Sequence, residues 1–283
     1  MAKRVARQAV TRYWKLYLAP PRYRREQRLT LTTRDGVRLC AWRLEGPPDA
    51  SCTVVLVHGF VNSSRSPRVH RFAHLLARRV HVVVPDLRGH GRSGGRCSMG
   101  RDEPLDVEAA VAVARQAGRP VVTVGTSLGG AAVLLHAGTY GGVAGVVGVS
   151  APCCGEVDRE GSHRVRRWVT GRTGRLMLAA VLRTRVGPDC IYLPEAAEVA
   201  AKIAPAFTLV VHDPEDWYFG PSHAERIHQW AGEPKALWWY PGGGHGGDLL
   251  TPAFADRLLA ELDQRLAPRG SGDETPASGP PTR

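Results

Sequence analysis

The sequence lacks any stretch of the roughly 18 consecutive apolar residues that a membrane-spanning helix requires, although 43% of its 283 residues are hydrophobic. Its basic N-terminus contains neither a continuous apolar segment nor the small-residue cleavage site of a secretory signal. Its six cysteines form no C-x-x-C pair and have no zinc-like spacing with histidine. These absences predict a cytoplasmic globular protein with free, mostly buried thiols and no metal site.

The net charge of +12 is concentrated at one end of the chain. Residues 1–28 contain nine basic side chains and one acidic side chain, so the other residues together carry only +4. At about 100° per residue, the apolar and aromatic side chains of this segment fall on one side of a helix and the basic ones on the other. The pattern is typical both of an interfacial helix on an anionic membrane and of a helix packed on its own domain. No nucleic-acid-binding signature accompanies the charge, so a nucleic acid partner is not expected.

The hydrophobic pattern beyond residue 28 indicates strands that alternate with helices. Two alternating runs flank Asp35-Gly36, a strong signal for a β-hairpin. Buried strands are predicted at residues 52–57, 80–85, 121–124, 143–149, 207–211 and 236–240. Helices are predicted at residues 67–79 and 105–117, directly after residue 127, near residues 222–230 and at 252–266. This order predicts an α/β fold in which a mostly parallel sheet is covered by helices on both faces.

Residues 153–205 interrupt the alternation and are too long for a simple crossover between two strands. They contain their own helical patterns, so we expect a small helical cap over the carboxyl edge of the sheet. Eight arginines and one glutamate lie between residues 159 and 185, which fits either an anion-binding surface or a solvated basic face. The predicted organisation is an N-terminal segment at 1–28, a domain at 29–266 with this cap, and a disordered tail at 267–283.

A serine lies at the predicted junction between a strand and a helix. The pentapeptide Gly-Thr-Ser-Leu-Gly places Ser127 in the pattern of a nucleophile elbow, a sharp turn that lifts the hydroxyl out of the sheet edge. Backbone N–H groups at the start of the helix favour an oxyanion. The pentapeptide alone is nearly as typical of an ordinary glycine-rich turn, so the interpretation depends on its partners.

A serine hydroxyl becomes a good nucleophile only beside a base that an acid orients. In this architecture the acid and then the histidine follow the serine along the chain. The strand at 207–211 is followed by the carboxylates Asp213, Glu215 and Asp216, and the last strand is followed by His245 in a glycine-rich loop. We expect His245 to be free of any apolar face.

Two backbone N–H groups are expected to bind the oxyanion. One is the N–H of Leu128, directly after the nucleophile. The other is the N–H of Phe60, in the loop after the strand at 52–57. His58, in the same loop, is expected to hold the loop in place by hydrogen bonds rather than to donate a proton in the reaction.

These motifs together resemble the α/β-hydrolase superfamily, in particular its serine hydrolases such as esterases, monoacylglycerol-lipase-like enzymes and serine aminopeptidase-like proteins. The resemblance covers residues 29–266. The stretches that carry it are "VVLVHGF", "VVPDLRGHGRS", "VGTSLGG", "LVVHDPED" and "GGGH". It implies that Ser127 is the nucleophile, Asp216 the acid and His245 the base. Asp213 stands where the family usually has glycine, so Asp213 stays open as an alternative acid.

The resemblance implies acyl transfer to water, with a carboxylic ester as the small-molecule substrate and no metal or organic cofactor. A serine at position 127 excludes the haloalkane dehalogenases and epoxide hydrolases of this fold, which need a carboxylate nucleophile. A hydrophobic acyl ester is the substrate that we favour. The alternatives are a thioesterase or peptidase with the same triad, a non-catalytic binding protein, and a module that binds anionic surfaces through the N-terminus.

Overall fold

The computed structural model describes residues 26–155, 160–188 and 195–267. The amphipathic helix predicted near the N-terminus and nearly all of the tail predicted to be disordered lie outside these residues, as does the thiol at position 190. No helix within the described ranges combines the length and the apolar character that crossing a membrane requires.

Eight strands within the described residues form one sheet in the order β1-β2-β4-β3-β5-β6-β7-β8. β1 and β2 form the predicted antiparallel hairpin, β2 also runs antiparallel to β4, and all the other pairs are parallel. The mostly parallel sheet that the sequence predicts is therefore confirmed. The strands are β1 (Glu26–Thr32), β2 (Arg38–Leu44), β3 (Thr53–Val57), β4 (His81–Pro85), β5 (Val121–Thr126), β6 (Gly145–Val149), β7 (Phe207–His212) and β8 (Lys235–Trp239).

The described helices connect these strands in the predicted order. They are α1 (Pro67–Leu76), α2 (Glu103–Arg115), α3 (Leu128–Tyr140), α4 (Glu160–Thr170), α5 (Arg172–Leu182), α6 (Ala196–Ala200), α7 (Pro221–Trp230) and α8 (Pro252–Leu266). The first helix ends three residues before the predicted position. There the N–H of Arg79 bonds to the carbonyl of Leu76, an i→i−3 turn that closes the helix.

Two apolar layers enclose the sheet. Alternate side chains of β3 point to opposite faces: Val55 and Val57 join the layer under α2, α3 and α7, and Val54 and Leu56 join the layer under α1 and α8. These four side chains are fully buried. A central strand buried on both faces must be apolar throughout, which explains its continuous run of branched residues.

The segment between β6 and β7 contains the predicted helices of the cap. α4 and α5 share a small apolar cluster of Val169, Leu178 and Val186, which packs against Phe60 beyond the end of β3. On the other side of α5, Leu176 is 71% exposed. The segment therefore lies over the carboxyl edge of the sheet, where ligands bind in open α/β folds.

A close backbone contact joins α3 to β3. A Cβ atom on Gly129, in the first turn of α3, would lie 2.6 Å from the carbonyl oxygen of Val57 and closer still to that of His58. Both obstacles are backbone atoms, which cannot rotate away. Only glycine lets the helix begin so close to the strand.

We expect Gly129→Ala to lower the free energy of unfolding by about 1–3 kcal/mol, the usual range for overpacking. Urea unfolding at neutral pH would measure the change. Gly247→Ala is the matched control, because a Cβ there would meet no atom within 4 Å. Equal unfolding midpoints for the two variants would show that the close approach does not constrain the fold.

Candidate active site

Ser127 occupies a strained turn between β5 and α3. Its backbone angles are φ 52° and ψ −119°, a conformation that costs a residue with a side chain about 1–3 kcal/mol. The turn is held because the N–H of Ser127 donates to the carbonyl of Val149 at 2.8 Å and its carbonyl accepts from the N–H of Ala131 at 3.0 Å. The hydroxyl caps no backbone group of the helix. It faces His245 instead.

His245 connects the serine to a carboxylate. Its Nε2 atom lies 3.0 Å from Ser127 Oγ, and its Nδ1 atom lies 2.8 Å and 3.0 Å from the two carboxylate oxygens of Asp216. Because an ionised carboxylate only accepts hydrogen bonds, Nδ1 carries the proton and Nε2 is left as the acceptor for the serine hydroxyl. The imidazole is thus in the tautomer that can take a proton from Ser127.

Asp216 is fully buried and keeps its charge through hydrogen bonds. Besides His245, the backbone N–H groups of Tyr218 and Phe219 donate to its Oδ1 atom at 2.7 Å and 3.2 Å. Burial by itself raises the pKa of Asp216, but the bonds from His245 and from these two amides outweigh it, so the pKa lies below its ordinary value. Asp216 therefore stays ionised beneath the imidazole.

Asp213, the alternative acid in the sequence analysis, lies elsewhere. Its Oδ2 atom accepts from the N–H of Gly244 at 2.7 Å and its Oδ1 atom from the N–H of Glu215 at 2.9 Å. The first of these bonds holds the loop that carries His245. The structure thus places Asp216 against the imidazole and Asp213 against the histidine's loop.

Three consecutive aromatic residues surround His245. Its ring centroid lies 5.6 Å from that of Trp217, 5.2 Å from that of Tyr218 and 5.7 Å from that of Phe219. The prediction that His245 is free of an apolar face is therefore wrong. The sequence analysis did not identify these residues as part of the site, although they directly follow Asp216 and therefore belong to the same turn.

Phe60 and Leu128 lie where the sequence places the oxyanion donors, since both line the cavity that contains Ser127. Within the described part of the chain, no acceptor is bonded to the backbone N–H of either residue. For Leu128 the reason is general, since the first N–H groups of a helix have no acceptor within it. Both N–H groups are therefore without an acceptor among the described residues, beside the cavity that contains Ser127.

His58 holds the loop that contains Phe60 in place by hydrogen bonds. Burial lowers the pKa of His58, an effect that the nearby charge of Asp86 only partly offsets, so the ring is neutral. Its Nε2 atom accepts from the N–H of Leu87 at 3.1 Å, so Nδ1 carries the proton and donates to the carbonyl of Gly59 at 2.8 Å. The predicted role of His58 in holding this loop agrees with these bonds.

A largely apolar cavity of about 480 Å³ opens beside Ser127. Its walls include apolar side chains from the loop after β3, the loop that precedes α2, and the two cap helices: Phe60, Val61, Met99, Val165, Val169 and Leu182. Among the described residues that line it there is no carboxylate and one arginine, Arg68, which is paired with Asp248. Of the arginines described at residues 160–188, none lines the cavity. An anionic subsite formed by that cluster is therefore not supported among these residues.

The fold also brings together a group of side chains that the sequence spacing does not reveal. Cys153 and Cys154 follow β6, and His223 lies in the first turn of α7; the Cys153 sulfur is 3.2 Å from His223 Nδ1. Burial and the adjacent Cys154 thiol raise the pKa of Cys153 to about 12. Although the pair resembles a cysteine–histidine dyad, this thiol stays protonated and buried, so it is not a second nucleophile.

Comparison with known proteins identifies the family of the chain. A sequence model of the alpha/beta hydrolase family matches residues 54–279. The uncharacterized protein YfhR of Escherichia coli (strain K12) is 27% identical over 253 residues, which cover 82% of this chain and 80% of that protein.

Solved structures show the same architecture. The Pyrococcus furiosus esterase Pf2001 superposes with a TM-score of 0.65 at 18% identity, covering 85% of this chain and 93% of that one. The esterase RhEst1 from Rhodococcus sp. ECU1013 superposes with a TM-score of 0.65 at 19% identity, covering 84% and 98%. At these identities the likeness shows a shared fold.

The lowered pKa of Asp216 predicts a pH-dependent contribution to stability. A carboxyl with a depressed pKa in the folded state stabilises the protein above its unfolded pKa, near 4, and loses that contribution as the pH falls through the folded pKa. We expect the difference in unfolding free energy between wild type and Asp216→Asn to shrink as the pH falls below about 4.

Urea unfolding at each pH would measure this difference, with Asp256→Asn on the exposed side of α8 as the control for charge. A difference that stays unchanged down to pH 3 would contradict the assignment of an ionised, hydrogen-bonded Asp216.

Proposed function

The chain belongs to the alpha/beta hydrolase family, and on that premise we propose that it is a serine hydrolase that cleaves carboxylic esters by acyl transfer to water. The observation that carries the proposal is the continuous hydrogen-bonded chain from Ser127 through His245 to the buried Asp216. The lowered pKa of Asp216 and the Nδ1–H tautomer that its carboxylate requires of a neutral His245 are those that nucleophilic catalysis needs.

In the acylation step, Ser127 Oγ attacks the ester carbonyl while its proton passes to His245 Nε2. Asp216 stabilises the imidazolium that forms, and the N–H groups of Phe60 and Leu128 donate to the oxyanion. The tetrahedral intermediate collapses, the C–O bond to the alcohol breaks, and the proton on His245 goes to the leaving alcohol. The acyl group remains on Ser127 Oγ.

Deacylation repeats these steps with water as the nucleophile. His245 takes a proton from the water as it attacks the acyl carbonyl, and returns it to Ser127 Oγ when the acid departs. All proton transfers in this scheme use His245, so both half-reactions depend on the same imidazole geometry.

The walls of the cavity support a neutral, hydrophobic acyl group as the part of the substrate that enters it. Its lining side chains are mainly apolar, and its arginine is already paired. Burial of each methylene in such a site is favourable by about 0.8 kcal/mol. The esterases Pf2001 and RhEst1, which share the fold, are consistent with an ester as the scissile group, and thioesters and amides are the competing substrates.

We expect a fluorophosphonate probe to label the wild-type protein and to leave Ser127→Ala and His245→Ala unlabelled, since labelling needs both the nucleophile and its base. Gel fluorescence at matched protein concentration would measure labelling. Ser51→Ala, an exposed serine, is the matched serine control.

The two aspartates give a second comparison in the same experiment. Asp216→Asn should slow labelling by about 10⁴-fold, because the imidazole loses its orienting carboxylate. Asp213→Asn should slow it by about 10²-fold or less, because Asp213 only positions the loop. Equal losses, or no labelling of a folded wild type, would overturn the proposed triad.

A series of p-nitrophenyl esters should show kcat/KM rising by up to about fourfold for each added acyl methylene until the cavity is full. Leu182→Trp, which narrows the cavity, should move the optimum to shorter chains. Leu176→Trp is the matched control because Leu176 lies on the same helix but is 71% exposed.

Stopped-time assays with the corresponding thioesters and anilides would rank esters, thioesters and amides by kcat/KM. A preference for acetate esters over all longer esters would contradict an acyl-binding cavity, and a higher kcat/KM for anilides would replace the esterase assignment by a peptidase one.

A further inference from the structure

We propose that Cys153, Cys154 and His223 form a binding site for a thiophilic divalent cation of the Zn²⁺ class, beside the cavity but separate from the triad. Their three potential ligand atoms lie within 4.8 Å of one another. The side chains are 1%, 3% and 2% exposed, so the group is almost entirely shielded from solvent. Two sulfurs and one imidazole nitrogen are ligands that Zn²⁺ prefers in proteins.

The distances are close to those of a tetrahedral zinc site. The two sulfurs are 3.3 Å apart, and the Cys153 sulfur is 3.2 Å from His223 Nδ1. With bonds of about 2.3 Å to sulfur and about 2.0–2.1 Å to nitrogen, tetrahedral ligands would stand about 3.6–3.8 Å apart. These two separations would each have to widen by about half an ångström or less, a change that side-chain torsions can absorb, and the third pair of ligand atoms lies within 4.8 Å.

The orientation of His223 suits a metal ligand. The backbone N–H of Cys153 donates to His223 Nδ1 at 3.2 Å, so this nitrogen carries a lone pair and not a proton. The lone pair therefore points toward the backbone of Cys153, whose sulfur lies 3.2 Å from the same nitrogen. A bound cation would replace the contacts that the N–H and the thiol of Cys153 now make with this nitrogen.

The charge of the filled site would be balanced. Zn²⁺ displaces the protons of the thiols that it binds, and a dication with two thiolates and a neutral imidazole has no net charge. A buried ion without this compensation would be strongly unfavourable. The guanidinium of Arg226 lies 3.6 Å from the Cys154 sulfur, where its charge would attract the thiolate that a bound ion creates.

A second group of metal-type ligands in the described residues is a poorer candidate. Glu26, His70 and His74 also come within ligand distance of one another. However, the Arg65 guanidinium lies 2.6 Å from Glu26 and 3.0 Å from the His70 ring nitrogen. Arg65 thus already occupies two of the three side chains at hydrogen-bond distance, and a metal ion would have to displace it from both.

An ion at the cysteine site would stabilise one wall of the cavity. Cys154 lines the cavity, and the ring of His223 packs on Phe219 with centroids 4.9 Å apart. Phe219 in turn packs on His245 and donates its N–H to Asp216. Binding would therefore join the loop after β6 to the start of α7, so the folded state should gain stability from the ion.

The test uses the full chain without an affinity tag, reduced with a phosphine and freed of metal. Zn²⁺ is titrated in competition with a chromophoric chelator, and Co²⁺ is used as a spectroscopic probe for thiolate-to-metal charge transfer. We expect one equivalent of Zn²⁺ to bind with submicromolar affinity, a cobalt charge-transfer band, and a Tm that rises with the Zn²⁺ concentration.

Cys153→Ser, Cys154→Ser and His223→Asn should each weaken Zn²⁺ binding by more than about 100-fold, since even the loss of an outer hydrogen-bond partner typically costs 10- to 100-fold. His223→Asn retains an acceptor for the N–H of Cys153, and its Tm without metal reports whether the fold is intact. Cys52→Ser is the matched control, because Cys52 is equally buried in the other apolar layer.

Failure of the wild type to bind one equivalent would overturn the proposal. Binding that survives in all three variants, or that is lost equally in Cys52→Ser, would also overturn it by placing the ion elsewhere. None of these readouts depends on ester hydrolysis, so the proposal stands or falls separately from the proposed function.

Discussion

The close approach of α3 to the sheet is the constraint on which the rest of the site depends. Gly125 and Gly129 have no Cβ, so the turn around Ser127 can lie in direct contact with neighbouring backbone. A Cβ on Gly125 would lie 2.7 Å from the N–H nitrogen of Gly130. This contact fixes the start of α3, and with it both the serine hydroxyl and the N–H of Leu128. A strained serine persists there because the surrounding backbone leaves it no other conformation.

Parallel pairing explains why the other groups meet that serine. β3, β5, β7 and β8 all end at the same edge of the sheet, so the loops that follow them carry Phe60, Ser127, Asp216 and His245 to one place. Residues more than a hundred positions apart thus come within hydrogen-bond distance. Antiparallel strands would send successive loops to opposite edges.

The strands, the helices and the serine–histidine pair could be predicted because each follows from the residue pattern of one short segment. Apolar runs bounded by glycine indicate buried strands. Ser127 directly follows the valine-rich run of β5, and His245 lies in the glycine-rich loop after the apolar run of β8. The aromatic packing around His245 and the meeting of Cys153 with His223 could not be predicted in this way. Both depend on contacts between segments far apart in sequence, and periodicity reports only which face of one element is buried.

The choice between the two aspartates shows what geometry adds to spacing. Asp213 and Asp216 both follow β7, and either could approach a histidine in the next loop. The turn resolves the choice: it directs the backbone N–H groups of Tyr218 and Phe219 at Asp216, whereas Asp213 accepts the N–H of Gly244. Asp213 stands where glycine is usual in the family that the sequence resembles, yet it does not compete with Asp216. Its carboxylate instead ties the histidine's loop to the end of β7, so the departure from the family's pattern supports the orientation of His245.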